Sequence, residues 1–249
     1  MKQFTVQLVT KAMEKLRVMT LVVLSVMVVG LASEQPAAPV EAAADALNGL
    51  KVAVDPGHGG YDGGARAATS GKWEKELTLA IARAVQEELT AHGAEVVLTR
   101  TEDVCLAQEG SGKARKRADL QKRLEIAQKA GAEVFLSIHL NEYRDRSQSG
   151  PQVFYQKGAD AGRLLAGALQ QSLVNTLQPP KARQANAGDY YVLRNTALPA
   201  ALVECGFLSN PEEEKKLLDP AYHQRIARAV ANGLAQWREL SLRTGENGL

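Results

Sequence analysis

Residues 50–60 read LKVAVDPGHGG, a short apolar run followed by an aspartate and a glycine-rich turn. A short apolar run that is bounded by turn residues predicts a buried β-strand. The glycines can bring the backbone close to a ligand or a metal while His58 projects from the turn. This stretch therefore predicts the first strand of a domain and, at its carboxyl end, a loop that could carry function.

Five more apolar runs of this kind follow, and stretches with helical periodicity separate several of them. The predicted strands are 50–55, 94–99, 132–139, 152–156, 190–193 and 200–204. The predicted helices lie near 77–89, 120–127, 159–177 and 226–237. Because strands alternate with helices, we predict a single α/β domain with a six-stranded, mostly parallel twisted sheet and helices on both faces.

The composition indicates a globular protein without a strongly charged partner. The 249 residues are 45% hydrophobic and 23% charged, which excludes disorder, coiled coil and collagen. Residues 1–32 carry a net charge of +3, residues 33–49 carry −3, and residues 50–249 carry +2. A small and dispersed charge does not support binding to a phosphate backbone, so no nucleic acid is expected as a partner.

The amino-terminal residues have the layout of an export signal. Residues 18–32 are apolar and uncharged, and they follow a stretch that contains Lys11, Lys15 and Arg17. We interpret residues 1–32 as a signal peptide or an N-terminal membrane anchor. Cleavage is favoured, because the apolar run is shorter than the roughly 20 residues that span a membrane.

The rest of the chain divides into three parts. Residues 33–49 lack aromatic residues and have little bulk to bury, so they predict a flexible linker. Residues 50–240 form the predicted main domain, and residues 241–249 form a C-terminal tail. Positive charges before the apolar run predict that the domain lies outside the cytoplasm.

Three polar side chains are expected at the carboxyl ends of strands, where a parallel sheet collects its functional loops. His58 follows the first strand, His139 ends the third and Glu204 ends the sixth. One histidine would be interpreted as a structural residue, but two at the same edge favour a metal site. A carboxylate at the end of a buried strand is costly unless it is paired, hydrogen-bonded or beside a metal.

A metal site of this kind commonly has three protein ligands, so a third ligand is expected beside the two histidines. The candidates are Asp55, Asp62, Glu74, Glu76 and Glu204. Glu74 and Glu76 open the first long helix, where acidic side chains also interact favourably with the helix dipole. Spacing alone does not choose between them.

Other conspicuous residues predict structure rather than chemistry. Cys105 and Cys205 do not form a disulfide framework, and geometry alone would decide whether they pair. No base is placed beside Cys205, so we interpret it as a small buried residue. The basic run at 113–117 is interpreted as a solvated helix face in preference to a site for an anionic ligand.

Four segments, taken in order, resemble the zinc-dependent N-acetylmuramoyl-L-alanine amidases of the type-3 family. They are VDPGHGG at 54–60, EK at 74–75 before LAIA at 79–82, SIHLN at 137–141 and VECGFLSNPE at 203–212. The resemblance extends over roughly residues 50–239, and its order and spacing make it specific where each motif alone is weak. Within the family, the chain most resembles the germination-specific spore-cortex amidases of endospore-forming bacteria. This closer resemblance rests on SIHLN, on the basic insert and on a bare catalytic domain that follows an export signal.

The resemblance implies a role for each residue of the site. His58, Glu74 and His139 would bind one Zn²⁺ per chain, and Glu204 would be the catalytic carboxylate. The resemblance also implies a six-stranded sheet with helices on both faces, which agrees with the strand pattern above.

Two further residues are weaker candidates for holding substrate. Asn141 and Arg194 are expected on loops near the same edge of the sheet. Three residues depart from the pattern of the family, namely Glu76, Glu142 and Cys205. None of them removes a ligand, although Glu142 alters the expected shape and charge of the substrate groove.

The resulting hypothesis is zinc-dependent hydrolysis of the amide bond between N-acetylmuramic acid and L-alanine in peptidoglycan, in spore cortex maturation with formation of muramic δ-lactam. Zinc would supply hydroxide and polarise the carbonyl, while Glu204 would carry the proton to the departing nitrogen. The alternatives are a non-catalytic peptidoglycan-binding regulator and a zinc peptidase that cuts within the stem peptide. Peptidoglycan is the expected partner, and a second protein could supply targeting or activation.

Overall fold

A computed structural model of the chain describes residues 45–244 and contains a six-stranded sheet. The strands are β1 (Lys51–Pro56), β2 (Glu95–Leu98), β3 (Val134–Asn141), β4 (Gln152–Tyr155), β5 (Asn186–Ala187) and β6 (Ala200–Phe207), in the spatial order β2-β1-β3-β6-β4-β5. Strands β2, β1, β3 and β6 are parallel, whereas β4 is antiparallel to β6 and β5 is parallel to β4. The structure confirms the predicted α/β fold with a mostly parallel sheet.

Helices cover both faces of the sheet. They are α1 (Glu74–Ala91), α2 (Gly112–Lys129), α3 (Asp160–Leu177), α4 (Tyr191–Arg194), α5 (Pro211–Leu217) and α6 (Pro220–Thr244). Helices α1, α3 and α6 pack together on one face, where Val54 and Leu136 join the larger core. Helices α2 and α4 cover the other face, over a second core that includes Ala53 and Phe135. Neighbouring strand residues thus enter opposite cores, because strand side chains alternate between faces.

The predicted strand at 190–193 is wrong. Residues 191–193 belong to α4, a single helical turn that Tyr190 precedes, and the fifth strand is the two-residue β5 earlier in the chain. Val192 and Leu193 are both buried in the second core. Consecutive residues of a strand point to opposite faces, so a helical turn is needed to bury both on one side of the sheet. The apolar composition indicated burial here but not the backbone conformation.

The residues just before the predicted boundary at residue 50 pack against the domain. The predicted export segment 1–32 lies outside the described residues, as does most of the predicted linker. Residues 45–49 form a turn in which Leu47 is fully buried in the larger core, and the Leu47 backbone N donates to the His92 carbonyl oxygen (3.1 Å). None of the helices within residues 45–244 is long and apolar enough to cross a membrane.

The carboxyl ends of β1, β3 and β6 lie at one edge of the sheet. Asp55 lies opposite Ser137 in the pairing of β1 with β3, and His139 lies opposite Glu204 in the pairing of β3 with β6. Because these strands are parallel, the loops that follow them open on the same side. The sheet therefore places His58, which follows β1, near His139 and Glu204.

A buried ion-pair network fixes the loop after β1. The Arg123 side chain comes from α2, is 1% exposed, and lies 2.8 Å from carboxylate oxygens of both Asp55 and Asp119. Its guanidinium also donates to the carbonyl oxygens of Pro56 (2.7 Å) and His58 (2.6 Å). The planar fork of an arginine can serve several acceptors at once. Arg123 thereby ties β1 and the His58 turn to α2.

Asp55 completes this network. Its carboxylate accepts hydrogen bonds from the hydroxyl groups of Thr99 (2.6 Å) and Ser137 (2.7 Å) in addition to the bond from Arg123. Burial raises the pKa of Asp55, but the charge of Arg123 and these hydrogen bonds outweigh burial and hold the pKa below its usual value. Asp55 was a candidate ligand by sequence, and the structure instead engages it fully with protein partners.

Candidate metal centre

His58 lies in a strained turn that the surrounding residues hold in place. Its φ of +62° is in the left-handed region, which is unfavourable for residues with a side chain. The hydrogen bond from Arg123 to the His58 carbonyl oxygen supports this conformation. Gly57 allows the turn to approach β3, because a Cβ there would lie 2.3 Å from Cε1 of His139. The two histidine rings consequently pack edge to face, with their centroids 4.8 Å apart.

Glu74 lies between the two histidines. It is the first residue of α1, and its side chain is buried. Its Oε1 lies 3.2 Å from Nε2 of His58 and 3.0 Å from Nδ1 of His139, and it accepts a hydrogen bond from the Leu140 backbone N (2.9 Å). Its Oε2 accepts a hydrogen bond from the Ala65 backbone N (2.8 Å). These contacts fix the orientation of the carboxylate.

The structure distinguishes Glu74 from Glu76, which sequence spacing could not do. The Glu76 carboxylate turns back and accepts a hydrogen bond from the backbone N of Trp73 (3.2 Å). This contact is the return half of a capping box, which stabilises the start of a helix. Glu76 therefore caps α1, whereas Glu74 lines the cleft at the sheet edge.

Three side chains at this edge form a donor set for a metal ion. The ligand atoms of His58, Glu74 and His139 all lie within 4.8 Å of one another. Two imidazole nitrogens and one carboxylate oxygen suit zinc, and three protein ligands leave a position open, as in catalytic zinc sites. The donor chemistry and the spacing therefore fit one such ion.

A second layer of charged residues supports His58. Oδ1 of Asp62 lies 3.0 Å from Nδ1 of His58, on the side of the ring away from Glu74. Oδ2 of Asp62 pairs at 3.1 Å with Lys116 of α2. The Lys116 side chain is 53% exposed, as the interpretation of a solvated helix face expects, and it also reaches across to the loop after β1.

The charges of the cluster shift the pKa values of its members. Burial lowers the pKa of His58, but hydrogen bonds to Asp62 and Glu74 outweigh burial and raise the pKa to about 9. Burial raises the pKa of Glu74, but the two histidines outweigh burial and hold the pKa well below its usual range. The carboxylates therefore stabilise positive charge at this position, which a metal ion would also bring.

Glu204 lies beside the cluster without a partner of its own. The residue is 9% exposed, and its Oε2 has no hydrogen-bond partner in the described part of the chain. Burial raises the pKa of Glu204 to about 8, the charge of Glu74 adds to this shift, and the charge of His58 opposes it. A buried carboxyl group without a partner destabilises the fold, and such groups are common at functional sites.

A cleft of about 590 Å³ is lined by His58, Asp62, Glu74, Lys116, His139 and Glu204. Asn141 and Glu142, at the end of β3, also line it, so Asn141 lies where a substrate-holding residue is expected. Arg194 does not line this cleft, because it ends α4, is exposed, and pairs with Asp189. Arg194 lies instead in an adjoining groove.

The two cysteines do not pair. Both Cys105 and Cys205 are free thiols, and Cys205 is fully buried on β6, as predicted. Burial raises the pKa of the Cys205 thiol, and the charge of Glu204 adds to the shift. A buried thiol with a raised pKa is inert, so Cys205 has a packing role.

The sequence interpretation missed Arg123, which holds the His58 turn. The sequence does contain a pattern that indicates this ion pair. Asp119 and Arg123 are four residues apart on α2, a spacing at which side chains can pair along a helix. They also flank the apolar residues Leu120 and Leu124, so the pair lies next to the buried stripe of the helix. Charged residues at helical spacing beside an apolar stripe indicate a buried ion pair.

Residues 52–236 match the family described as N-acetylmuramoyl-L-alanine amidase. The germination-specific N-acetylmuramoyl-L-alanine amidase of Bacillus subtilis (strain 168) is 37% identical over 194 residues, which cover 77% of this chain and 81% of that relative. The amidase AmiA of Salmonella typhimurium is 30% identical over 230 residues, which cover 75% of each chain. The CwlD amidase from Clostridioides difficile, solved in complex with the GerS lipoprotein, is 32% identical with a TM-score of 0.73, and the match covers 77% of this chain and 99% of that one. This chain therefore belongs to the N-acetylmuramoyl-L-alanine amidase family.

Proposed function

We propose that this enzyme hydrolyses the amide bond between N-acetylmuramic acid and L-alanine with one zinc ion, bound by His58, Glu74 and His139. The observation that carries the proposal is Glu204, which is buried beside this donor set and whose Oε2 has no hydrogen-bond partner within residues 45–244. A protein that only bound peptidoglycan would gain nothing from this arrangement, because an unpaired buried carboxyl destabilises the fold. Proton transfer during hydrolysis gives the group a function.

A zinc ion held by His58, Glu74 and His139 would supply Lewis-acid chemistry, namely polarisation of a carbonyl group and a lower pKa of bound water. The protein supplies the proton transfer. Oε2 of Glu204 takes a proton from the attacking water and returns it to the nitrogen of L-alanine as the amide bond breaks. Burial raises the pKa of Glu204 above its usual value and the charge of a bound zinc ion would lower it, so the carboxyl group is suited both to accept and to return a proton. The glycan and the peptide are the two products.

We further propose an extracytoplasmic role in spore cortex maturation, in which the released lactyl carboxyl of muramic acid becomes available for δ-lactam formation. The support is the similarity to the germination-specific amidase of Bacillus subtilis and the export layout of residues 1–32. The CwlD amidase was solved with the GerS lipoprotein, and a partner protein for targeting or activation is proposed here by analogy.

Product analysis tests the reaction. Zinc-loaded protein added to purified sacculi is expected to release intact stem peptides with a free L-alanine amino group, as detected by mass spectrometry. Shortened stem peptides would indicate a peptidase instead, and no released peptide would indicate a binding protein. The same analysis of spores from a strain lacking this protein is expected to show cortex without muramic δ-lactam.

Asp62→Asn is expected to weaken zinc binding by about ten- to hundredfold, the usual effect of losing a carboxylate that orients a histidine ligand. Asparagine preserves the shape of the side chain but removes the charge next to Nδ1 of His58. Competition with a chromophoric chelator measures the affinity. Asp160→Asn, at an exposed aspartate on α3, is the matched control and should bind zinc like the wild type. Equal affinities for Asp62→Asn and the wild type would contradict the supporting role.

A further inference from the structure

A basic groove lies on the surface between α2 and α4. Its volume is about 410 Å³. The residues that line it include Lys113, Lys116, Arg117, Leu120, Tyr191 and Arg194, and no acidic residue lines it. We refer to this feature as the basic groove.

Two of the positive charges in the basic groove are uncompensated. Lys116 pairs with Asp62 and Arg194 pairs with Asp189. Lys113 and Arg117 are exposed and form no ion pair within residues 45–244; Arg117 lies over the Tyr191 ring, 5.9 Å from its centroid. The basic groove consequently has a surplus of positive charge that is available to a ligand.

The position of these charges does not stabilise the helix that carries them. Lys113 is in the first turn of α2 and Arg117 is one turn further on, and that first turn has no acidic residue. The amino-terminal end of a helix dipole is positive, so cations there are unfavourable. Local helix stability therefore does not explain the basic residues, whereas binding of an anion would.

The basic groove is continuous with the catalytic cleft. Lys116, Leu120 and Tyr191 line both of them. A substrate bound at Glu204 can therefore extend over these residues into the basic groove. The contacts at the groove would be made by the part of the substrate on one side of the bond that is cleaved.

We propose that the basic groove binds carboxylates of the stem peptide, which places the peptide side of the substrate over α2 and α4. This proposal rests on the amidase function proposed above. The N-acetylated glycan is neutral once the lactyl carboxyl is in the amide bond, whereas the peptide carries free carboxylates. The charge of the groove therefore selects the peptide rather than the glycan.

The test compares two small substrates that differ only in charge. They are N-acetylmuramoyl-L-alanyl-D-glutamate and its diamide, in which both carboxylates are carboxamides. Lys113→Gln/Arg117→Gln is expected to raise the KM for the dicarboxylate by about three- to tenfold, since exposed ion pairs are individually weak. We expect kcat to stay within about twofold, and the KM for the diamide to be unchanged, because the lost contacts need a carboxylate. Added salt should raise the KM of the wild type more than that of the variant.

The matched control is Lys51→Gln/Lys129→Gln. It also removes two exposed positive charges, and Lys129 lies about 20 Å along α2 from Lys116. The control should behave like the wild type with both substrates. Equal KM values for the two substrates in the wild type, or the same KM shift in both double variants, would overturn the proposal.

A binding measurement separates this proposal from the proposed reaction. The free dipeptide L-alanyl-D-glutamate is titrated into zinc-loaded wild type and Lys113→Gln/Arg117→Gln, with calorimetry or NMR as the readout. Weaker binding of the dipeptide to the variant supports peptide binding at the basic groove, whether or not the substrates are hydrolysed. A failure to hydrolyse either substrate would refute only the amidase proposal. A glycerol phosphate oligomer is titrated in parallel. If the glycerol phosphate oligomer binds through Lys113 and Arg117 and the dipeptide does not, the groove is a phosphate-binding site and the proposal is wrong.

Discussion

Glu204→Gln is expected to lower kcat/KM on peptidoglycan by about 10²–10⁴, the usual contribution of general acid–base catalysis. Glutamine preserves the shape of the side chain but cannot accept the proton of water or return it to the leaving nitrogen. The zinc content should match the wild type, because Glu204 is not in the proposed ligand set, and the free energy of unfolding should not fall, because a neutral amide replaces an unpaired buried carboxyl group. Initial rates on soluble muropeptides and metal analysis of the same preparation measure both quantities.

Glu87→Gln is the control for this variant, because Glu87 is an exposed glutamate on α1 outside the cleft. It should retain full activity. If Glu204→Gln also retained full activity, proton transfer by Glu204 would be wrong. If activity and zinc were lost together, Glu204 would be a ligand rather than the proton carrier.

Arg123→Gln is expected to lower the free energy of unfolding by about 3–5 kcal/mol, the cost of removing one partner from a buried ion pair. The variant leaves Asp55 buried without its cation and leaves the Pro56 and His58 carbonyl oxygens without their donor. Urea denaturation followed by circular dichroism measures the change. A loss of unfolding free energy below about 1 kcal/mol would show that the ion-pair network does not stabilise the fold appreciably.

Lys122→Gln is the control, since it removes a positive charge from the neighbouring, exposed position on α2. Its unfolding free energy should equal that of the wild type within error. If Arg123→Gln does not fold, Arg123→Lys provides the measurement. Lysine retains the charge but not the planar fork, so an intermediate loss of stability is expected.

The sequence was sufficient for those parts of the fold that depend on long apolar runs. Strands β1, β3 and β6 are buried on both faces, and their composition shows this directly. Strand β5 has only two residues and no bulky apolar side chain, so it is too short to show the alternation of apolar and polar residues that predicts a strand. The turn α4 is short and apolar, and a strand and a helix of this length have the same composition. Its conformation depends on the second core, which forms only in the folded state.

The candidate site could be predicted as far as the residues that end the strands. Parallel topology is enough to bring His58, His139 and Glu204 to one edge. The choice between Glu74 and Glu76 depends on which carboxylate is buried and which caps α1, and two acidic residues at a helix start look alike in sequence. The contact between Lys116 and Asp62 joins two segments that are far apart in sequence. The local pattern of the basic run therefore could not predict it.

The place of β6 in the sheet determines when the chain can fold. β6 joins β3 to β4 in space, yet only α5 and α6 follow it in sequence. Until residues 200–207 are available, β2-β1-β3 and β4-β5 are separate pieces with open edges, which are prone to incorrect pairing. Synthesis from the amino terminus therefore leaves the sheet incomplete until nearly the whole chain has been made. A chain with an incomplete sheet is not yet folded, and this state would suit the export that is proposed for it.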